Sequence, residues 1–254
     1  MADFIYWTVS QDDQTPCLDF SIPFDSYLTP FELDRLGQMR FQKRRAEWLH
    51  GRWTSKYLFR HSAAPYSNLS PLQIQIKNEP EGMPFLENVI TGERLPDNIS
   101  ISHREHQAFC AITHQSLIKL GVDLELVERR TPGFLQDFFT VREYTAGLEY
   151  NTSLRDLWFT LLWSLKEAVL KAVGKGLRLD TRSVEVRQVF GFGLTPENSD
   201  WQKVVIEFDF QESSNWNVWW RLKGDFVFTI AACHPISVSP PQLIEVEPCL
   251  PDEI

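Results

Sequence analysis

A chain of 254 residues with 43% hydrophobic and 13% aromatic content has enough apolar surface for a large core, which excludes a disordered polypeptide. Its net charge of −9 argues against a nucleic-acid binder, and no window approaches the roughly 18 apolar residues of a membrane span. Met1 to Ser10 lack a basic segment followed by an apolar run, so no signal peptide is expected. Cys17, Cys110, Cys233 and Cys249 form no C-x-x-C pair and read as free thiols of a cytoplasmic protein.

The acidic average hides one basic segment. From Arg35 to Arg60 there are eight basic residues (Arg35, Arg40, Lys43, Arg44, Arg45, Arg52, Lys56 and Arg60) and one acid, Glu47. Such a local excess predicts an anion site, phosphate above all; a solvated helix face is the plain alternative. In the same stretch Leu33, Leu36, Phe41, Ala46, Leu49, Trp53, Tyr57 and Leu58 recur at helical spacing, which predicts two helices broken near residues 37–42. Residues 62–98, interrupted by Pro65, Pro71, Pro80, Pro84 and Pro96, read as loops with a short strand over 72–76. Strands are expected over 99–102 and 108–113, with 120–126 as the antiparallel neighbour of the latter. Helical patterns cover 132–150 and 153–173. After Gly176 the pattern turns to strands, over 183–189, 204–210, 216–222 and 226–233. The proline- and acid-rich tail from Ser237 onward is expected to pack across the surface or fray. Helices, strands, helices, strands: the order predicts two α+β halves meeting near residues 115–120.

Two segments carry candidate chemistry. In Gly121-Val122-Asp123-Leu124-Glu125-Leu126 the side chains alternate faces, so Val122, Leu124 and Leu126 point one way while Asp123 and Glu125 share the other. Two carboxylates on one face repel each other unless a cation or a basic group sits between them. In Trp163-Ser164-Leu165-Lys166-Glu167-Ala168-Val169-Leu170-Lys171 the apolar stripe runs through Leu165, Val169 and Ala172. Glu167 and Lys171, four apart, share another face. By themselves these read equally as a surface strand and a surface ion pair. Glu143, in Phe138-Phe139-Thr140-Val141-Arg142-Glu143-Tyr144, reads as a solvated helix residue.

Taken together, the segments resemble the 4′-phosphopantetheinyl transferases of the larger, pseudodimeric class typified by the surfactin-synthetase activator. That class shares a G-x-D-x-E strand, an F-F-x-x-x-E-Y helix and a W-S-x-K-E-x-x-x-K-x-x-G-x-G-L signature, matched here at 121–125, 138–144 and 163–177. Lys43 to Arg52 resembles the family's basic helix, Ile101-Ser102-His103 its N-x-S-H segment, and Phe226 to Pro235 a late strand. Two departures stand out: Gly82-Met83-Pro84 replaces G-K-P, and Ser100 stands where the family has asparagine.

The resemblance implies an α+β fold of two similar halves, 1–117 and 118–254, with an active site at their interface. It also implies transfer of 4′-phosphopantetheine from coenzyme A to a serine of an apo acyl or peptidyl carrier protein, which is generally acidic, giving adenosine 3′,5′-bisphosphate. By the same resemblance Asp123, Glu125 and Glu167 would bind Mg2+, Glu167 would act as base and Lys171 would steady the leaving phosphate. His103, with Ser102, would bind the pyrophosphate. Lys43, Arg44, Arg45, Arg52, Gly82, Pro84 and Lys171 would complete the coenzyme A site. A cytoplasmic monomer without nucleic-acid or membrane partners is expected. The rival readings are a Mg-dependent nuclease, which uses a similar acid set, and a coenzyme A-binding protein with decayed catalysis.

Overall fold

The computed structural model describes residues 3–11, 22–62, 68–193, 200–208 and 214–247. In chain order these form β1 (Phe4–Gln11), α1 (Pro30–Gly37), α2 (Gln42–His61), β2 (Ile74–Asn78), β3 (Pro84–Asn88), β4 (Arg94–Arg104) and β5 (Gln107–Thr113). The chain continues through β6 (Lys119–Leu126), α3 (Pro132–Phe138), α4 (Val141–Leu148), α5 (Thr152–Ala172), β7 (Glu185–Val189), β8 (Gln202–Glu207), β9 (Ser214–Lys223), β10 (Phe226–Pro235) and β11 (Gln242–Glu245). Local chemistry starts the helices. Thr29 and Thr140 cap α1 and α4 in reciprocal boxes with Glu32 and Glu143, and Asn151 caps α5 through Leu154 N–H. The expected break between α1 and α2 falls at residues 38–41.

The chain divides into two units, one running to Ser116 and resuming at Pro241, the other from Leu117 to Pro240. Within the first, the strands run in the order β11-β1-β5-β4-β3-β2; within the second, β6-β10-β9-β8-β7. Setting β11 aside, the two orders are one topology used twice: an opening strand, helices, then four strands that return to pair with the opener. The α+β fold of two similar halves expected from the sequence is borne out. In the first unit Leu58 and Phe59 of α2 pack on Ile74, Ile76, Leu86, Ile99, Cys110 and Ile112 of its sheet. In the second, α5 is the hub. Leu161, Leu165, Ala168 and Val169 are buried among Val184, Val186, Val218, Val227 and Ala231.

Three expectations change. β6 is not the neighbour of β5; it pairs antiparallel with β10 from Leu126–Phe226 to Lys119–Cys233, while both edges of β5 are taken by β1 and β4. The proline-rich stretch holds β3 and a longer β4. Pro84 is the first residue of its strand, and Pro96 lies where the β3–β4 register is interrupted, so neither needs to donate in the ladder. The tail contributes β11, which runs parallel to β1 and so belongs to the first unit's sheet rather than the second half. The strand β1 itself escaped notice because polar Thr8 and Ser10 are buried in it. Of the four cysteines, Cys110 and Cys233 are free and buried, and burial pushes the Cys110 thiol up to about 12, which makes it inert. Cys17 and Cys249 lie outside the described residues.

One glycine sets the distance between helix and sheet in the second unit. A Cβ built on Gly121 would lie 1.9 Å from the Ala168 carbonyl oxygen and 2.6 Å from the Ala172 nitrogen, both backbone atoms of α5. Gly121→Ala should therefore cost about 3 kcal/mol or more, beyond the usual range for overpacking because backbone must move. Gly133→Ala, with nothing within 4 Å of its Cβ and a place in α3, should be neutral or slightly stabilising. Urea midpoints of the two variants against the wild type check the pair.

Candidate functional site

Because α5 lies against β6 at Gly121, the residues two and four further along the same strand face also meet α5. Lys171 Nζ donates to Asp123 Oδ1 at 2.7 Å and to the Val122 carbonyl at 3.1 Å. Trp163 Nε1 donates to Glu125 Oε1 at 3.0 Å. Trp163, Glu167 and Lys171 are spaced by four on α5, so Glu167 sits in the stripe between the two that touch Glu125 and Asp123. The plain alternative of a surface ion pair between Glu167 and Lys171 gives way to an Asp123–Lys171 pair with Asp123 buried.

Glu167 is left in the least comfortable position. Its Oε1 is buried with no hydrogen-bond partner. Burial, with repulsion from Asp123 and Glu125, pushes its carboxyl up to about 7 against the opposing pull of the Lys171 ammonium. Glu125 is more fully engaged, because Arg130 Nη2 donates to its Oε2 at 3.1 Å and also pairs with Glu128. Arg130 in turn lies over the Phe134 ring. Sequence reasoning passed over Arg130, for which no motif gave a signal, and over the indole of Trp163, which the tryptophan of the signature could have suggested.

Among the described residues no three His, Cys, Asp or Glu side chains stand close enough to ring a metal by themselves. One or two hard carboxylates completed by waters and substrate phosphates are nonetheless what Mg2+ uses, and a divalent cation would answer both the orphaned Glu167 oxygen and the mutual repulsion of the acids. The donor set fits.

The basic residues of the first unit expected to bind coenzyme A separate into three groups. Lys43 and His103 line a cavity of about 340 Å3 together with Glu47, His50, Glu105 and His106. Within it His103 Nε2 lies 3.4 Å from Glu47 Oε2. Arg44 lines a second cavity, of about 280 Å3, with Arg35, Arg40 and the exposed Phe41. Arg45 and Arg52 serve the scaffold. Arg45 donates to the Leu36 carbonyl at the end of α1. Arg52 is buried beside Glu32, stacks on Trp48, and burial lowers it to about 10. Its Nη2 reaches Asn78 Oδ1, and Asn78 Nδ2 holds the carbonyl of Gly82, whose φ of +99° only glycine adopts readily. Arg52 thus supports the Gly82-Met83-Pro84 turn. Ser102 is buried in β4 opposite Phe109.

Glu143 is corrected outright. It is 1% exposed, and its oxygens take the N–H groups of Thr140 and Val186 while Oε2 pairs with Lys166 Nζ at 2.9 Å.

Residues 119–231, from β6 into β10, match the model of the 4′-phosphopantetheinyl transferase superfamily, so the class to which the motifs point is borne out. Relatives of the larger class agree. A 4′-phosphopantetheinyl transferase of Bacillus subtilis is 30% identical over 131 residues, 51% of this chain and 54% of the relative. The human L-aminoadipate-semialdehyde dehydrogenase-phosphopantetheinyl transferase is 27% identical over 202 residues, 74% of this chain and 61% of the relative. The chain thus spans less than two thirds of the length of these curated relatives. A solved holo-(acyl-carrier-protein) synthase of Bacillus anthracis, in complex with coenzyme A, aligns with a TM-score of 0.37 and 20% identity over 44% of this chain and 96% of that one.

The raised Glu167 carboxyl has a consequence for stability. Its folded value of about 7 exceeds the ordinary 4.5, so the folded state holds this proton more tightly than the unfolded chain. Its contribution is therefore fully present below pH 4.5 and is lost as pH rises towards 7, at most on the order of 3 kcal/mol. Glu167→Gln should abolish that loss and melt higher than the wild type at pH 8 without metal. Thermal denaturation in EDTA at pH 5 and pH 8 checks both.

Proposed function

We propose that the protein transfers 4′-phosphopantetheine from coenzyme A to a serine hydroxyl of an apo carrier protein, releasing adenosine 3′,5′-bisphosphate. The observation that carries this reading is the half-buried Glu167 carboxyl, its Oε1 buried without a partner, next to the Asp123–Lys171 pair. A carboxylate so placed is suited to accepting a hydroxyl proton, a role that typically contributes about 10²–10⁴-fold in rate. The match of residues 119–231 to the transferase family and the names of the relatives support it.

In this reading Glu167 accepts the proton of the attacking serine. Lys171, one turn further along α5, steadies the departing phosphate as its charge grows. Asp123 keeps the Lys171 ammonium in place. Mg2+ would be held by Asp123 and Glu167, with Glu125 as a third carboxylate once it turns from Trp163 and Arg130, and when bound supplies charge neutralisation at the pyrophosphate. Lys43 and His103 are the candidates for the pyrophosphate, and Arg44, with Arg35 and Arg40, for the 3′-phosphate. Arg45 supports the end of α1, Arg52 supports the Gly82-Met83-Pro84 turn, and Ser102 lies next to His103 on β4. The reading includes action as a cytoplasmic monomer; no helix of the described residues is long and apolar enough to cross a membrane.

Neither rival has an observation in its favour. A nuclease needs a basic groove, against a net charge of −9, and a decayed binder should lack one of the acids, all of which are present.

Incubating an apo carrier protein with this protein, coenzyme A and Mg2+ should add the mass of one phosphopantetheine, and EDTA should prevent it. Asp123→Ala and Glu167→Ala should each lose transfer at least a hundredfold with the fold intact by circular dichroism. Arg44→Ala should raise the coenzyme A concentration needed for half-maximal rate about tenfold with little change in maximal rate, as loss of a charged hydrogen bond entails. Full activity in either carboxylate variant overturns the site.

A further inference from the structure

Directly before Glu167 stands Lys166, fully buried on α5. Its ammonium pairs with Glu143 Oε2 at 2.9 Å and donates to the carbonyls of Thr181, at 3.0 Å, and Val184. Burial lowers the lysine, and Glu143 opposes that shift. Glu143 is in turn locked by the Thr140 capping box and by the Val186 N–H at 3.0 Å, which ties it to β7. Groups from several segments of the second unit thus converge on one ion pair with no water-facing side.

The first unit contains the same device. Lys56 of α2 donates to the carbonyls of Tyr27, at 2.8 Å, and Pro71, at 2.9 Å, and pairs with Glu32. Glu32 closes the Thr29 capping box and takes the Ile76 N–H, at 3.1 Å, which ties it to β2. The two differ in the residue directly after the lysine. In the first unit it is Tyr57, stacked on His61 at 3.9 Å. In the second it is Glu167, with Lys171 at the same spacing of four.

Adjacent helical residues diverge by about 100°. Clamping Lys166 therefore fixes the rotation of α5 about its axis and turns Glu167 towards Asp123 and Glu125, where burial and like charge oppose its staying. We propose that the Lys166–Glu143 pair is a positioning device for Glu167, holding that carboxylate in the site against the repulsion of its neighbours; this rests on the reading of the three acids as a Mg2+ site. Lys56–Glu32 is the same clamp with Arg52 rather than an acid cluster beside it, and serves as an internal control for metal binding.

The test is metal binding to the whole protein, with Mn2+ as probe and free Mn2+ counted by electron paramagnetic resonance. Glu143→Gln with Lys166→Met removes both charges of the second clamp, and Glu32→Gln with Lys56→Met those of the first. The first double variant should bind Mn2+ about tenfold or more weakly, as changes behind a metal ligand do. The second, with a comparable drop in melting temperature, should bind within twofold of wild type. Equal weakening in both, or unchanged binding in the second-unit variant, overturns the clamp's role. If that variant does not fold, Thr140→Ala, which loosens the Glu143 turn but keeps both charges, is read in its place: weaker binding supports the device and unchanged binding overturns it. Wild-type protein that binds no Mn2+ and transfers no phosphopantetheine sinks the metal reading itself, and the device with it.

Discussion

Everything at the candidate site depends on how closely α5 approaches β6. The absent side chain at Gly121 lets helix backbone pass where a Cβ would overlap the Ala168 carbonyl. At that distance the helix can extend Lys171 to Asp123 and Trp163 to Glu125 from the same stripe. A helix standing further off would leave both carboxylates to solvent, where they would be two ordinary acids on a strand. The apolar packing of Leu161, Leu165, Ala168 and Val169 holds the helix down on the sheet at that distance. Dispersion and hydrophobic burial thus provide the force, and glycine provides the room.

That closeness creates an electrostatic conflict. Asp123, Glu125 and Glu167 share a partly dry space, in which Asp123 is paired with Lys171 and Glu125 with Arg130. Glu167 bears the remainder as a raised proton affinity. Such a group persists only when the surrounding structure leaves it nowhere else to go, and polar groups perturbed in this way concentrate at functional sites. The buried Lys166–Glu143 pair next to it belongs to a different category. Breaking a pair of that kind from one side leaves an uncompensated charge in the interior, at a cost of about 3–5 kcal/mol. Its twin, Lys56–Glu32, occupies the equivalent place between helix, cap and strand in the first unit. The repeat therefore extends from topology down to individual side chains, while the residues next to each lysine have diverged into an aromatic stack and an acid site.

In the basic segment the sequence pattern was informative about composition and silent about direction. Lys43 and Arg44 do line cavities, as the excess of positive charge suggests. Arg45 and Arg52, in the same run, face the protein instead, one onto the end of α1 and the other into a buried cluster with Glu32, Trp48 and Asn78. Helical periodicity alone cannot separate these two kinds of arginine, because long side chains with charged tips occur on both wet and dry faces.

By itself the sequence determined the helices α1 to α5, the strands of the second unit, and the grouping of Asp123 with Glu125 and of Glu167 with Lys171. Each is set by short-range periodicity, which is written in residue spacing. Only the tertiary structure decided that Lys171 pairs with Asp123 rather than Glu167, that Glu143 is buried on Lys166, and that β6 pairs with β10 instead of β5. It also assigned the strand at the tail to β1. These are contacts between segments tens of residues apart, selected by which edges and which charges are still unsatisfied once the core has closed. That competition is global, and no local pattern carries its outcome.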